Sequence, residues 1–132
     1  MLKRLIAILI LVLLGLFSAQ AATVRIKAVR ADSENGGLVL FIDLTVELRP
    51  RVFTVDEKGL KPRVVMDFVG AKAGRLPARI ASPSPLAKGI RVGRHPDKIR
   101  LVIDLEPGRV YQVEQWFRKD IKQYILLLST PE

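Results

Sequence analysis

Three aspartates recur in one local setting. Leu40-Phe-Ile-Asp-Leu44, Val64-Val-Met-Asp-Phe68 and Leu101-Val-Ile-Asp-Leu105 each run three apolar residues, a carboxylate, and one more apolar residue. In an extended chain successive side chains point to opposite faces. Asp43, Asp67 and Asp104 therefore point away from the face that Leu44, Phe68 and Leu105 bury. A carboxylate in that position can accept hydrogen bonds from turn amides or pair with an arginine. Hydrolysis would need two carboxylates about 5–10 Å apart across a cleft, and the sequence indicates no cleft, so the strand-end structural role is the expectation. Arg63, Arg91, Arg94 and Arg100 stand in or beside the same segments. A guanidinium grips a carboxylate through two parallel donors, which an ammonium cannot do. Gripping a ligand's carboxylate is one use open to these four arginines. Pairing with the strand-end aspartates is the competing use, and it fits Arg63 and Arg100 better than Arg91 and Arg94.

Other chemistry is poorly supplied. The chain has no cysteine and one histidine, His95, which excludes a disulfide framework, a thiolate site and a multi-histidine metal cluster. His95 precedes Pro96 in a turn and reads as a surface residue. Ser82, Ser84 and Ser129 lack the motifs that make a serine nucleophilic, and there is no glycine-rich phosphate loop. No enzyme activity, metal or cofactor is expected. Trp116 and Phe117 could stack on a sugar ring, but anchoring a hairpin bend to the core is the favoured reading. Tyr111 and Tyr124 read as ordinary strand aromatics. The 22 basic and 13 acidic residues give a net charge of +9. They are spread through nearly every segment rather than gathered in a stripe, so nucleic acid is not an expected partner.

Apolar residues make up 49% of the chain, which argues against disorder, and the elements that would carry these residues are strands. Residues 23–28 alternate Val24, Ile26 and Ala28 against Arg25 and Lys27. Residues 32–37 read as a turn closed by Gly36-Gly37, and 38–46 as a central strand apolar on both faces until Asp43. Residues 51–55 are short and β-branched, and 56–59 form a turn with Gly59 at positive φ. Residues 63–69 form the next strand. Glycines and prolines make 70–89 a long connection, with a short edge strand at Arg79-Ile80. Strands follow at 90–92 and 98–106, and Pro107-Gly108 turns the chain. Residues 109–115 and 121–129 predict a final hairpin bent at Arg118-Lys119-Asp120. A helix over 114–128 is the rival reading, since Ile121, Tyr124, Ile125 and Leu128 also fall at helical spacing. Seven to nine short strands without helix predict a small all-β sandwich of two sheets, with a closed barrel as the alternative.

The first segment stands apart from that pattern. Met-Leu-Lys-Arg is a basic head, residues 5–17 are apolar apart from Gly15, and Ala19-Gln20-Ala21 ends the stretch with a small-residue cleavage motif. Residues 1–21 read as a secretory signal cut after Ala21, leaving 22–132 as one exported domain. Thirteen apolar residues in a helix rise about 20 Å, short of the roughly 30 Å of bilayer hydrocarbon. An uncleaved segment would act as an inner-membrane anchor, and membrane contact is expected only in that case.

Two stretches resemble the AMIN domain. This is the non-catalytic N-terminal domain of periplasmic N-acetylmuramoyl-L-alanine amidases, found also in secretin-type outer-membrane assembly proteins. The first stretch is Val52-Phe-Thr-Val-Asp56 followed by Lys61-Pro-Arg-Val-Val-Met-Asp-Phe-Val-Gly70. The second is Gly89-Ile-Arg-Val-Gly-Arg94, then Lys98-Ile-Arg-Leu-Val-Ile-Asp-Leu105 and Val110-Tyr-Gln-Val113. Leu38 to Leu44 fits the strand that precedes both. The likeness spans about residues 24–128. It implies a β-sandwich in the periplasm that binds peptidoglycan or localises a machine on it, without catalysis. Arg63, Arg91 and Arg100 fall at positions the resemblance shares, with Arg94 beside them, and on that basis the four are the candidate ligand-binding residues. An interaction subunit that meets another envelope protein through a sheet edge is the alternative. In well-known members an amidase or secretin is joined to this domain. No such segment follows Glu132, so an accessory module without an encoded catalytic partner is expected.

Overall fold

The computed structural model describes residues 23–58 and 60–131, and in them ten strands form two five-stranded sheets. The expected signal segment and Gly59 lie outside the described residues. The strands are β1 (Val24–Glu34), β2 (Gly37–Leu44), β3 (Arg51–Val55), β4 (Arg63–Val69), β5 (Ala71–Ala73), β6 (Arg79–Ile80), β7 (Ala87–Arg94), β8 (Lys98–Leu105), β9 (Gln112–Arg118) and β10 (Gln123–Ser129). The first sheet has the order β5-β1-β2-β10-β9 and the second β3-β4-β8-β7-β6. Neighbours are antiparallel except β1 and β5, which run parallel.

The core lies between the sheets and is built by period-2 alternation. β2 contributes Leu38, Leu40, Ile42 and Leu44, and β10 contributes Tyr124, Leu126 and Leu128. Facing them are Val64, Met66 and Phe68 of β4, Ile90 and Val92 of β7, and Ile99, Leu101, Ile103 and Leu105 of β8. Phe68 and Tyr124 meet edge to face across the layers, with ring centroids 5.9 Å apart. Polar contacts from three side chains brace this core. Ser84 donates its hydroxyl to the Gly36 carbonyl at 2.7 Å. The Tyr111 hydroxyl shares its one proton between the carbonyls of Leu86 and Glu106. The Tyr124 hydroxyl meets Gln115, which fixes Gln115 on the inner side of β9.

The sandwich is as expected, and three local readings change. β1 runs on through Asp32 to Glu34, and the turn is Asn35-Gly36 alone. Both residues have positive φ, 49° and 80°, as a two-residue type I′ hairpin requires. Gly37 opens β2 instead of closing the turn. The last hairpin bends at residues 119–122 with Lys122 at φ 52°. Ile121 is therefore a half-exposed turn residue rather than the start of a strand, and the 114–128 helix does not form. The tenth strand is β5, three residues that pair with Val24, Arg25 and Ile26. Its apolar content was too short to stand out from the glycine-rich connection.

Candidate functional site

Alternation that sends Val64, Met66 and Phe68 inward sends Arg63, Val65 and Asp67 outward. The same rule places Lys98, Arg100, Val102 and Asp104 of β8 on the outer face. Arg51 and Phe53 of β3, Arg91 of β7 and Arg79 of β6 join them. Pairing sets them in rows. Arg51, Asp67 and Arg100 stand side by side, then Phe53, Val65, Val102, Arg91 and Arg79, then Arg63 and Asp104. Six cations and two carboxylates thus share one sheet face. Val65 and Val102 are buried beneath these long side chains, whose aliphatic stems cover apolar surface while the charged heads stay wet.

Both carboxylates are already held. Arg100 donates from Nε and Nη2 to the two oxygens of Asp67 at 2.7 and 2.9 Å, and Lys98 adds a contact at 3.5 Å. Asp67 is only 5% exposed. The Arg100 guanidinium holds its carboxyl below the usual carboxylate range, against the upward push of burial. Arg91 donates to Asp104 in the same bidentate way, at 2.7 and 2.9 Å. Each hydrogen-bonded carboxylate raises the pKa of its arginine. Arg51 and Arg100 approach the Phe53 ring, with guanidinium carbons 5.6 and 5.9 Å from its centroid.

The remaining cations have no carboxylate partner among the described residues. Arg51 and Arg79 make no ion pair, and Arg63 donates only to the Lys61 carbonyl at 3.2 Å. Arg79 lies directly opposite Arg91 in the β6–β7 register, where like charges repel. Two shallow hollows of about 370 and 380 Å³ flank the Arg91–Asp104 pair. Lys61 and Pro62 line the first and Arg79 the second, with Lys88 shared. Such a surface attracts anions, and the free guanidinium donors suit carboxylate or phosphate oxygens.

Of the sequence candidates, Arg63, Arg91 and Arg100 come together here with Asp67 and Asp104. The expected pairing holds for Arg100 and is reversed for the other two: Arg91 takes Asp104, while Arg63, opposite Asp104 in register, turns to the Lys61 carbonyl. Arg94 lies at the rim, donating to the carbonyls of Gly74 and Leu76 at 3.1 and 2.9 Å. Asp43 is on the first sheet and accepts from Gln123 at 2.9 Å, so its partner is an amide and not an arginine. Sequence reasoning missed Arg51 and Arg79. The signal for Arg79 was present, since an edge strand with Ile80 inward turns Arg79 outward, but its position against Arg91 is a tertiary fact. Trp116 corrects an expectation. Phe117 packs against the core, and alternation sends its neighbour Trp116 to solvent, 44% exposed. His95 is exposed. Among the described residues no group of three or more His, Cys, Asp or Glu is placed to hold a metal ion.

The family model of the AMIN domain matches residues 26–128. No curated protein matches the chain.

Proposed function

Since the chain belongs to the AMIN family, a family of non-catalytic, envelope- or peptidoglycan-binding modules, we propose that the arginine-rich outer face of the second sheet is its peptidoglycan-binding surface. The carboxylates of the peptide stems are the groups it takes. The observation that carries this reading is the charge imbalance on that face. Six cations meet two carboxylates, and Arg100 and Arg91 already occupy both. A carboxylate seated beside Arg79 and Arg91 would relieve their mutual repulsion while accepting hydrogen bonds from each. Arg63 and Arg51 extend the surface toward β3, and Arg100, by holding both oxygens of Asp67, keeps that carboxylate from competing with the ligand for Arg51. Arg94 is assigned to holding residues 74 and 76 in place at the rim. The periplasm is the proposed compartment, reached through the signal of residues 1–21.

The test is cosedimentation of the protein with purified, protein-free sacculi across a salt series. Saturable binding that survives about 0.15 M salt, where charges are screened beyond about 8 Å, is expected. Arg79→Ala with Arg91→Ala should weaken it about tenfold, or about 1.4 kcal/mol. Undiminished binding by that double variant would remove the face from consideration. A second reading, capture of an envelope protein, is favoured by β9, which spans seven residues and among the described residues pairs with β10 alone. Its free edge can accept a partner's strand. A partner that stays bound after the wall is digested would distinguish it.

A further inference from the structure

We propose that the outer face of the first sheet, on the far side of the sandwich from the arginine face, carries a stacking site for a pyranose ring of an uncharged glycan, centred on Trp116. The register sets Arg30, Phe41, Ile125 and Trp116 in one row across β1, β2, β10 and β9. Most of the apolar surface in this region is already covered. Val39 and Ile125 are 3% and 4% exposed, and the Arg30 guanidinium sits 4.4 Å over the Phe41 ring centroid. Phe41 and Leu127 stay partly buried, and the most open apolar group in the row is the indole, 44% exposed. Its partly buried neighbour Phe117 packs against the core and already anchors the strand end there, so the outward indole is not needed for that task.

The size and charge of the patch choose the occupant. An indole presents at most about 150–250 Å², far below the roughly 800 Å² per partner of a stable protein interface. One sugar ring is of matching size. The C–H face of a pyranose is apolar and weakly electropositive, and the indole face is electron-rich, so the two attract. Sugar hydroxyls at the ring's edge need donors and acceptors. Glu114 and Arg118 stand two residues to either side of Trp116 on the same face and supply both. The face is also near charge balance. Arg30 pairs with Asp32 at 3.6 Å and Arg118 with Asp120 at 3.1 Å. A polyanion gains little here, unlike on the opposite side.

Trp116 is the only tryptophan in the chain, so intrinsic fluorescence reports on this site alone. Titration of the purified protein with chitotetraose, an uncharged tetrasaccharide, should shift and saturate its emission, with a dissociation constant on the order of 1 mM. The constant should not change with salt. Measured by calorimetry, Trp116→Ala should abolish binding, Trp116→Phe should weaken it severalfold, and Arg79→Ala with Arg91→Ala should leave it unchanged. An unaltered emission spectrum at tens of millimolar sugar, or undiminished binding by Trp116→Ala, would overturn the site. Sacculus binding that persists in either case leaves the arginine face standing. Chitotetraose binding without sacculus binding would have the opposite meaning.

Discussion

Asp67 and Arg79 show two opposite ways for a charged side chain to sit on the same surface. Asp67 is buried and doubly bonded to Arg100, so its ionised form is favoured in the folded state. A carboxylate with a lowered folded pKa contributes stability above its unfolded value of about 3.9 and loses it as pH falls through the folded value. Asp67→Asn should cost about 2 kcal/mol at pH 7, because the neutral amide is a poorer acceptor and leaves Arg100 without a counter-charge. The gap from wild type should narrow below about pH 4, which urea melts over a pH series would read. A gap that stays constant with pH would mean the ion pair is not its source. Arg79 is the reverse case. Among the described residues it has no carboxylate partner, and it faces Arg91 across the strand pair. Arg79→Ala should raise stability by a few tenths of a kcal/mol by removing like-charge contact, while weakening sacculus binding. A loss of stability would instead give Arg79 a structural role.

At the scale of the element, the first hairpin contains two adjacent glycines with different reasons to be glycine. Gly36 has φ of 80°, so Gly36→Ala should cost about 1–2 kcal/mol from left-handed strain, with nothing nearby for the new methyl to strike. At Gly37 a Cβ would lie 2.7 Å from the Leu128 carbonyl oxygen of β10. Gly37→Ala must therefore push two central strands apart, at a cost of about 1–3 kcal/mol. Denaturant melts should show both losses. Combining Gly37→Ala with Leu128→Ala should not restore stability, because the obstructing atom is backbone. The Gly36-Gly37 pair marked a turn in the sequence, but not which glycine turned and which made room. The same limit holds across the fold. Alternation in residues 38–44, 63–69 and 98–105 was enough to place the inward and outward faces of β2, β4 and β8, and so to put Asp67, Arg100 and Asp104 on an outer surface. Where apolar runs are short, as in β5 and β6, or where a positive φ at Lys122 sets the bend, local pattern says little. Boundaries then depend on which strand lies alongside. Arg100 with Asp67 was legible as a pair of types, but Arg91 taking Asp104 in place of Arg63 was not, nor was Arg79 opposite Arg91, because register between segments comes from packing.

For the molecule as a whole, an excess of positive charge is a weaker statement than an excess of positive charge in one place. The chain carries 22 basic against 13 acidic residues, and any such protein is drawn to an anionic wall by a long-range field that salt screens. The two sheet faces separate that field from recognition. On the second sheet, free guanidinium groups stand over buried Val65 and Val102 and beside two hollows; on the first, Arg30 and Arg118 are already paired with neighbouring aspartates. Removing equal charge from each side is therefore a direct comparison. Arg79→Ala with Arg91→Ala takes two charges from the proposed surface. Lys27→Ala with Lys72→Ala takes two from exposed positions on β1 and β5 of the other sheet. If geometry governs binding, the first variant should lose about tenfold in sacculus affinity, or about 1.4 kcal/mol, and the second less than about twofold. The loss in the first should persist at 0.15 M salt, because a bidentate contact within hydrogen-bond distance is shorter than the screening length of about 8 Å. Equal losses that shrink together with added salt would reduce the arginine face to one contributor among many to a diffuse attraction. They would also move the weight of recognition to Trp116, whose stacking on an uncharged sugar neither salt nor these substitutions should alter.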